Sequence, residues 1–140
     1  MKDICLAKDA LGSHSIAVVR AGSVLTDDAR GISPMLDFLA RGEDLRGAAV
    51  ADRIVGRAAA LLFLHAGIRA VWATVISRGA LALLMGAGVS CRYDTLTEHI
   101  INRTGDDICP MEKTVVGISD PETAYRLLRE KRDEMRRSRP

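Results

Sequence analysis

The chain has 140 residues, 48% of them hydrophobic but only 4% aromatic, and a net charge of +2. That composition predicts one domain with an aliphatic core, and a charge so small selects no class of partner. Three cysteines at irregular spacing (Cys5, Cys91, Cys109) exclude a disulfide framework. The charged N-terminus is no signal peptide and the most apolar run, 58–64, is far too short to cross a membrane, so the expected location is the cytoplasm.

Residues 2–10 predict a short helix ending at Gly12. The β-branched run 15–20 predicts a strand, and Ala21-Gly22 turns it into a hairpin with 23–26. Ser33-Pro34 opens a helix by the N-cap and first-turn rule, with Met35, Leu36, Phe38 and Leu39 facing inward. Residues 41–46 are a polar loop. A central helix is expected over 52–65, stopped at Gly67 and apolar all round from Ala58 onward, hence buried. The unbroken apolar run 69–76 predicts a covered strand. Ser77 caps the next helix, which ends at the Gly86/Gly88 pair. A strand follows at 89–93, then a short helix capped by Asp94 or Thr95, which stands at capping-box spacing from Glu98. Cys109-Pro110 begins another short helix to about Val116, and Asp120-Pro121 opens the last, charged from about Lys131. Strands joined through a helix imply a right-handed parallel crossover between 69 and 89, and the early hairpin makes the sheet mixed. The fold class is α/β. A single domain is expected over 1–128, followed by a charged helix end or tail over 129–140.

The front of the central helix holds the strongest functional signal. Arg53 and Arg57 oppose the helix dipole there, and Gly56 adds a helix penalty of roughly 1 kcal/mol. Costs concentrated at one helix end point to an anion site: amides of residues 54–56 as donors, Gly56 allowing close approach, Arg53 or Arg57 as counter-charge, and Asp52 orienting an arginine or a polar ligand group. The competing reading is structural: the arginines pair with surface carboxylates and Gly56 merely lets a strand pack closely. The second signal is 102–113, Asn-Arg-Thr-Gly-Asp-Asp-Ile-Cys-Pro-Met-Glu-Lys. A cysteine capping a helix is a nucleophile in principle, Lys113 would favour its thiolate, and Glu112 would serve as acid or base. Against this stands a buried Cys109 acting as a small apolar cap. The histidines (His14, His65, His99) and cysteines never reach zinc-ligand spacing, so no metal or cofactor is expected. Arg129 to Pro140 holds six basic and three acidic residues. The interleaved acids and scarce aromatics make nucleic-acid contact there the weaker expectation.

Three motifs also carry a resemblance. Ala51-Asp52-Arg53-Ile54-Val55-Gly56-Arg57-Ala58-Ala59-Ala60 resembles an A-D-K-V-V-G-K-A-A-A signature, and Asn102-Arg103-Thr104-Gly105 with Cys109-Pro110-Met111-Glu112-Lys113 resembles N-R-x-G…C-P-M-E-K. Arg30-Gly31-Ile32-Ser33-Pro34 resembles an R-G-I-x-P element. Together, over about 3–127, they are similar to a small uncharacterised prokaryotic family of unknown function with a cytidine-deaminase-like fold. The resemblance implies a three-layer α/β/α sandwich around a mixed sheet, and a homo-oligomer assembled through helices. In zinc deaminases a His-x-Glu opens the central helix and paired cysteines open the helix after the next strand. Here those places hold Gly56-Arg57-Ala58 and Ser77-Arg78-Gly79, so deaminase activity is not implied. Arginine where the signature has lysine, at 53 and 57, rules out Schiff-base chemistry there.

The sequence therefore predicts a metal-independent domain that binds an anionic small molecule, a nucleotide or phosphorylated metabolite. Its binding residues would be Asp52, Arg53, Gly56, Arg57, Ser77, Asn102, Arg103 and Lys113, with Cys109 and Glu112 at the rim as nucleophile and acid/base. The alternative is a non-enzymatic regulatory or self-association module.

Overall fold

A computed structural model describes residues 2–101, 105 and 107–138. Helix α1 spans Lys2–Leu11, and strands β1 (Ile16–Arg20) and β2 (Ser23–Asp27) form the expected hairpin. Its turn places both Ala21 (φ 49°) and Gly22 (φ 80°) in the left-handed region, the conformation that matches a two-residue loop to the strand twist. Helix α2 (Ser33–Ala40) follows, capped at Ile32 rather than Ser33 and with no side-chain cap bond.

The next element corrects the sequence reading. Residues 52–55 are not helical: strand β3 runs from Ala49 to Val55, Gly56 is the N-cap, and helix α3 begins only at Arg57 and ends at Ala66. Strand β4 (Ala70–Ser77), helix α4 (Arg78–Gly86) and strand β5 (Ser90–Thr97) continue the chain. The helix expected at 94–95 is absent; β5 runs straight through it as Asp-Thr-Leu-Thr. Helices α5 (Pro110–Thr114) and α6 (Pro121–Arg137) complete the chain. α6 continues unbroken through residue 131, and Arg132 ties it to α2 by donating to Asp37 Oδ1 (2.8 Å) and to the Ser33 carbonyl (3.3 Å).

The sheet is five-stranded and mixed, in the order β2-β1-β3-β4-β5. β1 is antiparallel to β2 and β3; β3-β4 and β4-β5 are parallel, each connected through a helix. Helices lie on both faces. On one, α1 sets Ile4, Ala7 and Leu11 against Ala17, Val19, Ala49, Ala51 and Ala70. On the other, Val18, Val50, Val71 and Ile76 meet Leu36, Leu61, Leu62, Leu84 and Leu128 from the remaining helices. α3 is central there, packed by α2, α4 and α6, which is why Ala58 to Phe63 are all buried and the helix is apolar all round. Gly67 closes it in the left-handed conformation at φ 80°.

Candidate functional site

Two helix mouths face the carboxyl ends of the parallel strands, the usual place for a ligand in an open α/β sheet. At the first, backbone N–H groups of Arg57 and Ala58 have no partner inside the helix. Each donates instead to one oxygen of the Glu112 carboxylate, Arg57 to Oε1 and Ala58 to Oε2, both at 2.7 Å. A carboxylate on the positive end of a helix is held by charge-assisted bonds and by the dipole together. Gly56 makes the approach feasible. A Cβ at that position would stand 2.6 Å from Glu112 Cδ and 2.7 Å from Ile100 Cγ1, inside van der Waals contact.

The guanidinium groups serve the chain as well. Arg57 donates through Nε to the Val115 carbonyl (3.2 Å) and through Nη2 to the Ile118 carbonyl, so it holds the turn that follows α5. Arg53 reaches the other way, to the carbonyls of Gly12 and His14 behind α1. Because Arg53 stands on β3 and Arg57 on α3, the two do not share a helix face, which corrects the four-residue spacing argument. The donating amides are also those of 57 and 58 rather than 54–56.

Asp52 sits on β3 between Ile16 of β1 and Ala73 of β4, where the sheet changes from antiparallel to parallel pairing. Its Oδ1 accepts the Arg53 amide at 2.8 Å. Only 8% of it is exposed, and desolvation pushes its carboxyl up to about 7 against the smaller opposing pull of the amides of 53 and 54 and the Arg53 charge.

Cys109 is half-buried at the N-cap of α5, with its amide donating to the Ile100 carbonyl at 2.9 Å. Lys113, expected to favour a Cys109 thiolate, pairs with Asp107 instead. Ser77 is buried and caps α4, its Oγ accepting the Ala80 amide at 3.2 Å. Asn102 and Arg103 lie outside the described residues. Thus the structure brings Gly56, Arg57 and Glu112 together, with Cys109 on the segment that carries Glu112. It sends Arg53 and Lys113 elsewhere. Sequence reading missed the direct bond between the two motifs, because partners 54 and 55 residues apart leave no local spacing signal. Among the described residues no group of three or more His, Cys, Asp or Glu side chains is placed to hold a metal ion, and no helix is long and apolar enough to cross a membrane.

The chain is similar to a solved structure of a DUF1893 family protein (TM1506) from Thermotoga maritima. The two are 29% identical with a TM-score of 0.82, over 94% of this chain and 91% of that one. It also has a distant likeness, at 14% identity and a TM-score of 0.45, to a diaminohydroxyphosphoribosylaminopyrimidine deaminase/5-amino-6-(5-phosphoribosylamino)uracil reductase from the same organism. That match covers 83% of this chain but 40% of the larger protein. No curated protein matches. The sequence profile of the TM1506 family matches residues 6–132, and the chain accordingly belongs to that family, a domain of unknown function (DUF1893).

Proposed function

We propose that this DUF1893 chain is a cytoplasmic, metal-independent domain with a deaminase-like arrangement that binds an anionic small molecule, a nucleotide or phosphorylated metabolite, at the mouth of α3. Glu112 is the resident anion that the ligand displaces. The observation carrying this reading is the two-point seat of the Glu112 carboxylate on the Arg57 and Ala58 amides. A phosphate oxygen pair needs the same donors. α5 has no fully buried residue, but Met111 packs against the core and Val115 just beyond it is buried, so the exchange is one of the Glu112 side chain and not of the whole segment. As the Glu112 side chain withdraws, Arg57 stands beside the freed amides as the counter-charge, Cys109 lies on the same segment at the rim, and Ser77 stands at the neighbouring helix mouth. Asp52 stands on the strand that leads into this mouth, and Asn102 and Arg103 are proposed to complete the site; Arg53, held by the Gly12 and His14 carbonyls, and Lys113, paired with Asp107, do not enter it in this arrangement. No reaction is assigned.

A second reading has its own support. Both guanidinium groups are spent on backbone carbonyls, which favours a permanent clasp in a non-enzymatic regulatory or self-association module. Thermal unfolding with added inorganic phosphate separates the two. On the first reading Glu112→Ala is destabilised and phosphate restores it, by about 2.7 kcal/mol at a hundredfold excess over the dissociation constant, while the wild type responds weakly. Phosphate without effect on either protein would leave the clasp and remove the ligand.

A further inference from the structure

We propose that the chain pairs with a second copy of itself through the free edge of β5, antiparallel and centred on Tyr93. This goes beyond the anion site and uses the sheet edge, not the helices. β5 is an eight-residue strand, Ser-Cys-Arg-Tyr-Asp-Thr-Leu-Thr, at one end of the strand order. An open edge is a template for another strand, and folds that avoid pairing blunt it with charged side chains (lysine above all), proline or a covering element; the two charges of β5, Arg92 and Asp94, are of opposite sign and can satisfy each other across a pair. β5 has no lysine or proline, among the described residues β4 is its one strand partner, and Ser90 and residues 92–95 are exposed. The opposite edge, β2, offers only five residues.

The register follows from backbone direction and charge. The Ser90 amide donates to the Arg69 carbonyl of the β4 side at 3.1 Å. Alternate residues turn the other way, so Cys91 and Tyr93 present their N–H and C=O groups to the outer edge. With the two-fold axis at Tyr93, that residue faces Tyr93 of the second copy as a hydrogen-bonded pair. Arg92 then faces Asp94 on both sides of the axis, in the non-hydrogen-bonded relation where opposed side chains come closest. Neither Arg92 nor Asp94 has an ion-pair partner among the described residues. Centring the axis on Arg92 or on Asp94 instead sets like charges face to face, so the charge pattern selects Tyr93. The pairing is isologous and closes as a dimer, whereas β5 on β2 of another copy would propagate. Tyr93, 40% exposed in the single chain, loses that exposure at the junction.

Sedimentation equilibrium on the full chain and two variants tests this, with circular dichroism confirming that each is folded. The wild type is expected to dimerise. Arg92→Asp, which opposes like charges twice, should weaken dimerisation by roughly a hundredfold. The double exchange Arg92→Asp with Asp94→Arg should restore it. A monomeric wild type, a dimer indifferent to Arg92→Asp, or a folded double variant that stays monomeric would each overturn the proposal.

Discussion

The mouths of α3 and α4 follow consecutive parallel strands, yet they are closed in different ways. At α3 a carboxylate from a distant segment takes the first two amides, and a glycine is required because no Cβ fits beneath it. At α4 the local side chain of Ser77 takes one amide, and a Cβ on Gly79 would meet nothing within 4 Å. The strands that lead in differ too: Asp52 of β3 is paired in register with Ala73 of β4. Two glycine-bearing helix starts that look alike in sequence therefore carry opposite constraints. One glycine is imposed by long-range packing, and the other is an ordinary solvent-facing position.

The largest expected effect concerns Asp52. Its carboxyl is raised from 3.8 to about 7 by burial, so the folded state holds the proton more tightly than the unfolded one. The contribution of Asp52 to stability is therefore full below about pH 4 and is lost as pH rises to about 7, by roughly 4 kcal/mol. Asp44, Asp107 and Asp120, all held below the carboxylate range by hydrogen bonds, act in the opposite sense and in a more acid window. Urea unfolding across pH 4–7 should show the decline in the wild type and a flatter profile in Asp52→Asn.

Next come the two partners at the α3 mouth. Glu112→Ala strips both amides of their acceptor and should cost about 3 kcal/mol. Gly56→Ala drives a methyl into Glu112 and Ile100 and should cost about 2–3 kcal/mol. Because the two act on one contact, the double variant should lose much less than the sum. The α4 mouth should respond more mildly. Ser77→Ala should cost about 1 kcal/mol. Gly79→Ala should stabilise by up to about 1 kcal/mol, since the helix propensity of alanine is gained with no clash. Equal responses of Gly56→Ala and Gly79→Ala in chemical denaturation would erase the contrast.

Much of the architecture was legible because it is local. The hairpin turn, the Ser77 cap, the Gly67 stop and the all-round apolar helix each follow from a few neighbouring residues. β3 escaped because Ala49–Val55 places Asp52 and Arg53 just ahead of the apolar helix, so their charge read as a helix front. Gly56, with β-branched Val50, Ile54 and Val55 before it, was the available boundary mark. The second half of β5 escaped because Thr95 and Glu98 stand at capping-box spacing, while Thr-Leu-Thr favours a strand. At the site, the sequence marked the stretch around Gly56 and Arg57 as a helix end, placed the donating amides at 54–56 instead of 57 and 58, and separately singled out Glu112. Nothing in the spacing of the two motifs showed that one supplies the anion for the other.

The most direct measurement is the amide spectrum of Arg57 and Ala58 by heteronuclear NMR in the wild type and in Glu112→Ala. A carboxylate seated on both N–H groups predicts strongly downfield proton shifts in the wild type. Both should move upfield together on substitution, and inorganic phosphate should return them in the variant. Amide resonances at ordinary positions that ignore the Glu112 change would contradict the account.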